Sequence, residues 1–435
     1  MQTIIWNSIS TTEREQLIER TQSVAFSKET EISVQNIIKN IRNEGLDSIL
    51  KYTKQFDYAD FVLDDLIQTC DEQSLSEKEK DAILQAIRNI GKFHKAQLAG
   101  EYELETMPGV RCKRVYRPIQ SVGLYIPGGT APLVSTVLMM AVPARLTNCE
   151  KVVLCTPPDS SGKINPAILY AAKMCGIDEV FAVGGAQAIA AMAYGCGPIP
   201  KVNKIFGPGN QFVNLAKIIV SQEFGGPAID MPAGPSEVLV IADETARPEF
   251  VAADLLSQAE HDTLASVITL TFSEQSANAI RNETEKQLLD LPRKDIASQA
   301  LKNAQIIIMN DIYDALDLSN QLGPEHLIIQ VNNAESYLEK IINAGSVFMG
   351  EWTPEAVGDY ASGTNHVLPT SGYASKMGGL NLDSFRRSMT VQNLDPQGLI
   401  NLAPCVETLA SMESLEAHKR AVSIRRKFLE KYYEY

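Results

Sequence analysis

A chain of 435 residues exceeds what one core commonly organises, and 45% hydrophobic against 21% charged residues is the balance of a globular protein with ample surface to bury. Against 39 Lys and Arg stand 53 Asp and Glu, a formal charge of −14 with no basic arm or stripe, which argues against nucleic acid and anionic membranes as partners. The seven cysteines (Cys70, Cys112, Cys149, Cys155, Cys175, Cys196, Cys405) are odd in number and scattered, with no C-x-x-C pair. They fit reduced thiols in the cytoplasm rather than disulfides or a cysteine-type zinc site.

The N-terminus lacks the basic and apolar regions of a secretory signal. The first hundred residues read as helices. Between Glu31 and Phe56, apolar Ile32, Val34, Ile37, Ile38, Ile41, Leu46, Ile49 and Leu50 recur near the 3.6 period. Ser76-Glu-Lys-Glu79 has capping-box spacing, and Ala82, Ile83, Ala86, Ile87 and Ile90 follow on one face. His94, between Phe93 and Lys95, is expected on the surface of that helix.

From Ser121 the texture alternates. The stretch Val122 to Ala144 is apolar but cut by Pro127, Gly128, Gly129, Pro132 and Pro143, so it does not span a membrane. Strands are expected at 121–126, 151–155, 179–183 and 204–206, with helices at 165–175, 186–194 and 211–221 between short Gly-rich turns. That is the signature of a parallel α/β layer, a compact doubly wound unit over roughly 121–235. The pattern continues with strands at 238–242, 266–272, 305–309, 326–330 and 346–348, and with helices at 248–260 and 274–289. The tail from about Leu380 reads as mostly helical, ending in a basic amphipathic helix over 415–432.

Three turns follow strands in the middle unit: Tyr125-Ile-Pro-Gly-Gly129, Val183-Gly-Gly-Ala-Gln187 and Phe206-Gly-Pro-Gly-Asn210. Glycine lets a backbone approach a phosphate, and the next helix N-terminus offers free N–H groups. None is the full G-x-G-x-x-G fingerprint, and structural turns alone would also carry such glycines.

Four of the five histidines lie at or beyond residue 261. Gln258 and His261 are three apart on an expected helix, hence on one face, and carbonyl oxygen plus imidazole suits zinc or a similar ion. A polar helix face in water would show the same pair. Asp359 in a loop and His418 on the last helix extend this to a thiolate-free ligand set, which fits an open catalytic site better than a closed structural one. Glu325 and His326, between a Gly-Pro turn and a β run, could divide acid–base work, or could be a chance surface pair. Ser236 before a strand, and Ala361-Ser-Gly-Thr-Asn-His366, offer polar recognition groups.

Together these blocks, with Asp254-Leu-Leu-Ser-Gln-Ala-Glu-His-Asp262, Gly323-Pro-Glu-His-Leu327, Gly358-Asp-Tyr-Ala-Ser-Gly-Thr-Asn-His366 and Glu413 through His418, make the chain resemble the histidinol dehydrogenases over essentially its whole length. Ser414 departs from that pattern, which favours glycine there. The resemblance implies a zinc enzyme that oxidises L-histidinol to L-histidine with two NAD⁺ through a retained aldehyde. It implies zinc on Gln258, His261, Asp359 and His418, residues that also border the substrate. His326 would take the alcohol proton and also touch substrate, while Glu325 would activate water. Ser236, His366 and Glu413 would contact substrate, and Tyr125, Gln187 and Asn210 would contact NAD.

The fold expected is α/β, with two Rossmann-like, incomplete doubly wound domains in an intertwined homodimer. One domain comprises 25–120 with 236–380 and the other 121–235, with 1–24 and 381–435 as helical ends, the latter reaching the partner subunit. A zinc-dependent hydrolase would leave the three glycine turns unexplained. A non-catalytic metal-binding relative is the other rival, and a thiol-based aldehyde dehydrogenase is disfavoured because no cysteine falls in a nucleophile motif.

Overall fold

The computed structural model describes residues 1–22, 26–57, 62–98, 100–128, 132–231 and 234–432; Gly129 of the first glycine turn and Ala233 of the segment before Ser236 lie outside them. The strands are β1 (Gln2–Ile5), β2 (Ile67–Gln68), β3 (Tyr102–Met107), β4 (Val110–Pro118), β5 (Ser121–Tyr125), β6 (Lys151–Thr156), β7 (Val180–Ala182), β8 (Lys204–Phe206), β9 (Ala228–Ile229), β10 (Glu237–Ala242), β11 (Ser266–Thr271), β12 (Gln305–Ile308), β13 (His326–Gln330), β14 (Ser346–Met349) and β15 (Arg386–Leu394). The helices are α1 (Thr11–Gln22), α2 (Lys28–Glu44), α3 (Leu46–Asp57), α4 (Glu77–Lys95), α5 (Val134–Leu146), α6 (Pro166–Met174), α7 (Gly185–Tyr194), α8 (Gln211–Gln222), α9 (Pro248–Ala259), α10 (Glu274–Leu288), α11 (Lys294–Asn303), α12 (Ile312–Leu322), α13 (Glu355–Tyr360), α14 (Pro396–Met412) and α15 (Glu416–Tyr432). They form two compact units, one of Met1–Gln97 with Ile119–Phe385, the other of Leu98–Pro118 with Arg386–Tyr435.

The larger unit holds two six-stranded sheets, ordered β2-β7-β6-β5-β8-β9 and β1-β12-β11-β10-β13-β14. Apart from antiparallel β2, every pairing is parallel. In each sheet five strands follow the incomplete doubly wound order, reversing between β5 and β8 or between β10 and β13. Both faces are covered, so strands bury odd and even positions alike. Val122 and Leu124 enter one core, Tyr125 and Val153 the opposite one. In the second sheet Val238 and Val240 face one core, Leu239 and Ile241 the other. Each such side chain contributes roughly 1.5–3 kcal/mol on burial, which is why continuous apolar runs mark these strands.

Several expectations need correction. The N-terminal segment opens with a strand, β1, paired in register with β12, then takes a short 3-10 turn at Trp6–Ser8 and becomes α-helical at Thr11. The apolar run over 31–56 is two helices, broken at Gly45, whose φ of +61° takes the left-handed side that glycine tolerates. Helices α2 and α4, grouped above with 236–380, pack instead on the β5–β8 sheet, through Val34, Ile37, Ile38 and Ile41 and through Ile83, Ala86 and Ile90. The C-terminal tail is not mostly helical at its start: β15 pairs antiparallel with β4, completing a β15-β4-β3 sheet in the smaller unit.

His94 is the clearest reversal. It is buried on α4, its Nδ1 2.9 Å from the Ile90 carbonyl and its Nε2 3.2 Å from the Asn365 amide nitrogen. Position 94 continues the Ile83–Ile87–Ile90 stripe, and the flanking lysines disguise that. Among the described residues no helix is long and apolar enough to cross a membrane.

Candidate active site

The parallel register sets Val238 opposite His326, so the first residue of β10, Glu237, lies beside the start of β13. Gly323 ends α12 with φ +58°, the usual glycine stop, and Pro324 and Glu325 lead straight into the strand. The Glu237 carbonyl lies 3.1 Å from His326 Nδ1, and the Glu237 N–H donates to Glu325 Oε2 at 2.8 Å. A carbonyl only accepts, so Nδ1 carries the proton, and Nε2 faces Asp359 Oδ1 at 3.3 Å. The Glu237 side chain accepts from Ser371 N–H at 2.9 Å.

All three groups are buried. Burial pushes the Glu325 carboxyl up to about 7 and, with the Glu325 charge, that of Glu237 to about 8. Burial disfavours a charged His326, but Glu355, Glu325 and Asp359 outweigh it and raise the imidazole well above its ordinary value.

Facing these strands, α9 and α13 each contribute residues four apart, hence stacked on one face. Asp254 and Gln258 come from α9, Glu355 and Asp359 from α13. The Glu355 N–H donates to the Asp254 carboxyl, which burial raises to about 7, and Asp254 also accepts from Gln330 at 2.8 Å. His261 falls just past the end of α9, its N–H 3.2 Å from the Gln258 carbonyl. Donor atoms of His261, Glu355 and Asp359 all lie within 4.8 Å of one another. His261 is exposed as a residue, yet enough protein surrounds its ring that desolvation lowers its pKa, with Asp359 opposing.

The loop after α13 is fixed on several sides. His366 Nδ1 lies 2.7 Å from the Asp359 carbonyl and Nε2 3.2 Å from the Thr136 hydroxyl on α5. Burial lowers the His366 pKa, which suits this neutral, doubly bonded ring. Asn365 donates to the Met139 carbonyl at 2.6 Å, and the Ala361 carbonyl accepts from Asn89 of α4 at 2.8 Å.

Tyr125, Gln187 and Asn210 lie at or just beyond the C-terminal edge of the β5–β8 sheet, Tyr125 ending β5 at the strand-order reversal, where doubly wound folds bind ligands. The Tyr125 hydroxyl accepts from Gly185 N–H at 3.0 Å, and Asn210 caps α8 at the N–H groups of Phe212 and Val213. Gln187 is buried with neither amide atom partnered, an anomaly that a bound polar group would remove. Gly207 has no room for a side chain: a Cβ would stand 2.1 Å from the Tyr125 carbonyl. Buried Lys217 pairs with Asp230 and donates to the Gly207 carbonyl at 2.8 Å, while Asp230 accepts the Gly207 N–H at 2.7 Å.

The structure thus brings Gln258, His261, Glu325, His326, Asp359 and His366 into one connected network. Ser236 precedes β10, half-buried, its carbonyl accepting from Ser266 N–H at 2.9 Å. Glu413 and His418 belong to the smaller unit and are exposed there. Sequence reasoning gave no role to Glu237, Asp254, Glu355, Thr136 or the Lys217–Asp230 pair. The i, i+4 spacings on α9 and α13 were the available signal for two of them.

A family model described as histidinol dehydrogenase matches residues 20–426. Histidinol dehydrogenase of Yersinia pestis is 52% identical over 427 residues, covering 97% of this chain and 95% of that protein. The enzyme of Vibrio parahaemolyticus is 52% identical and covers 98% of each chain. The crystal structure of histidinol dehydrogenase from Elizabethkingia anophelis superposes with a TM-score of 0.92 at 47% identity over 99% of both chains. With motifs, fold and relatives in agreement along nearly its full length, the chain belongs to the histidinol dehydrogenase family of oxidoreductases.

Proposed function

We propose that the protein is a zinc-dependent enzyme that oxidises L-histidinol to L-histidine in two steps at one site, using two NAD⁺ and retaining L-histidinaldehyde between them. The observation that carries this reading is the buried Glu325–His326 pair, locked by one backbone residue beside the His261–Glu355–Asp359 cluster.

A divalent cation fits that cluster. Glu325, Glu355 and Asp359 crowd around His326 and His261, an excess of carboxyl groups in a poorly hydrated place. Gln258, His261 and Asp359 would hold the ion, with His418 as a further ligand. Bound zinc would supply a Lewis-acid anchor for the substrate's nitrogens, and bound NAD⁺ a hydride acceptor.

The chain's own groups do the proton work. His326, its Nδ1–H spent on Glu237, would present Nε2 as the base for the alcohol proton once a cation held by Asp359 offsets the carboxyl charge that raises the imidazole. Glu325, with its pKa near neutrality, takes a proton from the water that hydrates the aldehyde. Ser236, His366 and Glu413 orient substrate, and Tyr125, Gln187 and Asn210 line the nucleotide edge. Burial of Glu325 and His326 would keep the aldehyde from bulk water.

The reading includes a cytoplasmic homodimer in which the C-terminal segment of each copy brings Glu413 and His418 to its partner. It is supported by α15, which buries no residue within one chain and leaves Ile424 and Phe428 exposed. Zinc-loaded protein given histidinol should form about two NADH per substrate consumed, as the four-electron route requires. One NADH with released aldehyde would overturn the two-step reading, and none would overturn the dehydrogenase reading.

A further inference from the structure

Phe206 is the last residue of β8, and past it the chain leaves the sheet for the turn that leads into α8. A neighbouring strand no longer serves the backbone there, yet Gly207 is buried and its polar groups need partners. Two side chains serve it instead. Asp230 Oδ2 accepts the Gly207 N–H at 2.7 Å, while Lys217 Nζ donates to the Gly207 carbonyl at 2.8 Å and to that of Met231 at 3.4 Å. The two side chains pair with each other, and each is 1% exposed. Nearly one turn earlier on α8, Asn214 donates to the Gly209 carbonyl at 2.8 Å, so the helix grips the turn at its own N-terminus.

We infer that Lys217 and Asp230 are positioning residues for the nucleotide. Together they hold Gly207 at φ +130°, pressed against the Tyr125 carbonyl, and so set the place of Asn210 relative to Tyr125 across the strand-order reversal. This rests on the NAD reading above, which gives the pair no task. A buried ion pair is weak evidence of a stabilising role, because its desolvation offsets much of its attraction. What apolar side chains of the same volume could not do is offer one acceptor and one donor to the same glycine. The competing role is a general brace for the sheet edge.

Binding of NADH to the zinc-loaded full chain, followed by the change in NADH fluorescence, separates these roles without turnover. Lys217→Met with Asp230→Leu, checked for folding by its melting transition, removes both holds on Gly207. Its Kd for NADH should rise about 10-fold, the order of one or two lost hydrogen bonds. Lys217→Met with Asp230→Asn keeps an acceptor for the Gly207 N–H and should fall between that variant and the parent. The KM for histidinol should stay near parental in both. Parental NADH affinity in the Met–Leu variant overturns the inference, and so does an equal rise in the Kd for NADH and the KM for histidinol, which would mark a general brace. Should the Met–Leu variant not fold, the Met–Asn variant carries the test, with the same two overturning results. If the parent itself binds no NADH, the nucleotide reading falls and this role with it.

Discussion

His326 Nδ1 lies 3.1 Å from the backbone carbonyl of Glu237, a contact fixed by strand register rather than by any side chain. The tautomer of the proposed base is therefore set by the parallel pairing of β10 with β13. The N–H of the same residue holds Glu325, so one residue of β10 positions both groups.

From this follows the first expectation. His326→Asn and Glu325→Gln should each lower kcat for NADH formation by about 10²–10⁴-fold, the ordinary worth of a positioned acid or base. Zinc content and melting temperature should stay near parental. Unchanged turnover in both variants would fit a non-catalytic relative instead.

His94 makes stability pH-dependent. Burial lowers its folded pKa below 6.5, so the folded state binds fewer protons than the unfolded state. Stability from this residue is complete above about pH 6.5 and erodes as pH falls toward the folded value, by at most about 1.4 kcal/mol per pH unit. Urea melts at pH 7.5 and 5.5 should show His94→Gln costing less at the lower pH. An equal cost at both would contradict the assignment.

The Lys217–Asp230 pair ties the Gly207 turn to α8. Lys217→Met leaves a buried carboxylate alone and should cost about 3–5 kcal/mol in denaturant melts, with a raised KM for NAD⁺ in whatever folds. Lys217→Met with Asp230→Asn should recover part of the stability.

Ser414 holds φ +59° at the turn between α14 and α15, a conformation costly for any side chain. Ser414→Gly should raise stability by about 1 kcal/mol, read as a shift in urea midpoint. A loss instead would mean that the serine makes an unrecognised contact.

Much of this was legible in advance because both sheets bury both faces. Runs such as Val238–Ala242 are continuous, and glycine stops separate strand from helix. The antiparallel sheet escaped notice because β15 is exposed along nearly all its length, so no apolar alternation marks it. Glu325 and His326 stood out in the sequence by the Gly323-Pro324 turn before them, whereas Asp359, expected in a loop, sits on α13. Glu237 was not legible, since it works mainly through its peptide group and peptides carry no sequence signal. Glu355 and Asp254 were hidden by their chemistry: a buried acid reads as a surface acid until its neighbours are known.

The loop 361–371 has a kinetic consequence. Asn89, Thr136, Met139 and Glu237 anchor it from α4, α5 and the β10 edge. A segment anchored at that many points is not a swinging gate, and its amides should exchange with deuterated solvent only when α4 and α5 come away as well. Substrate entry need not then await this loop, and neither need the slow step of turnover.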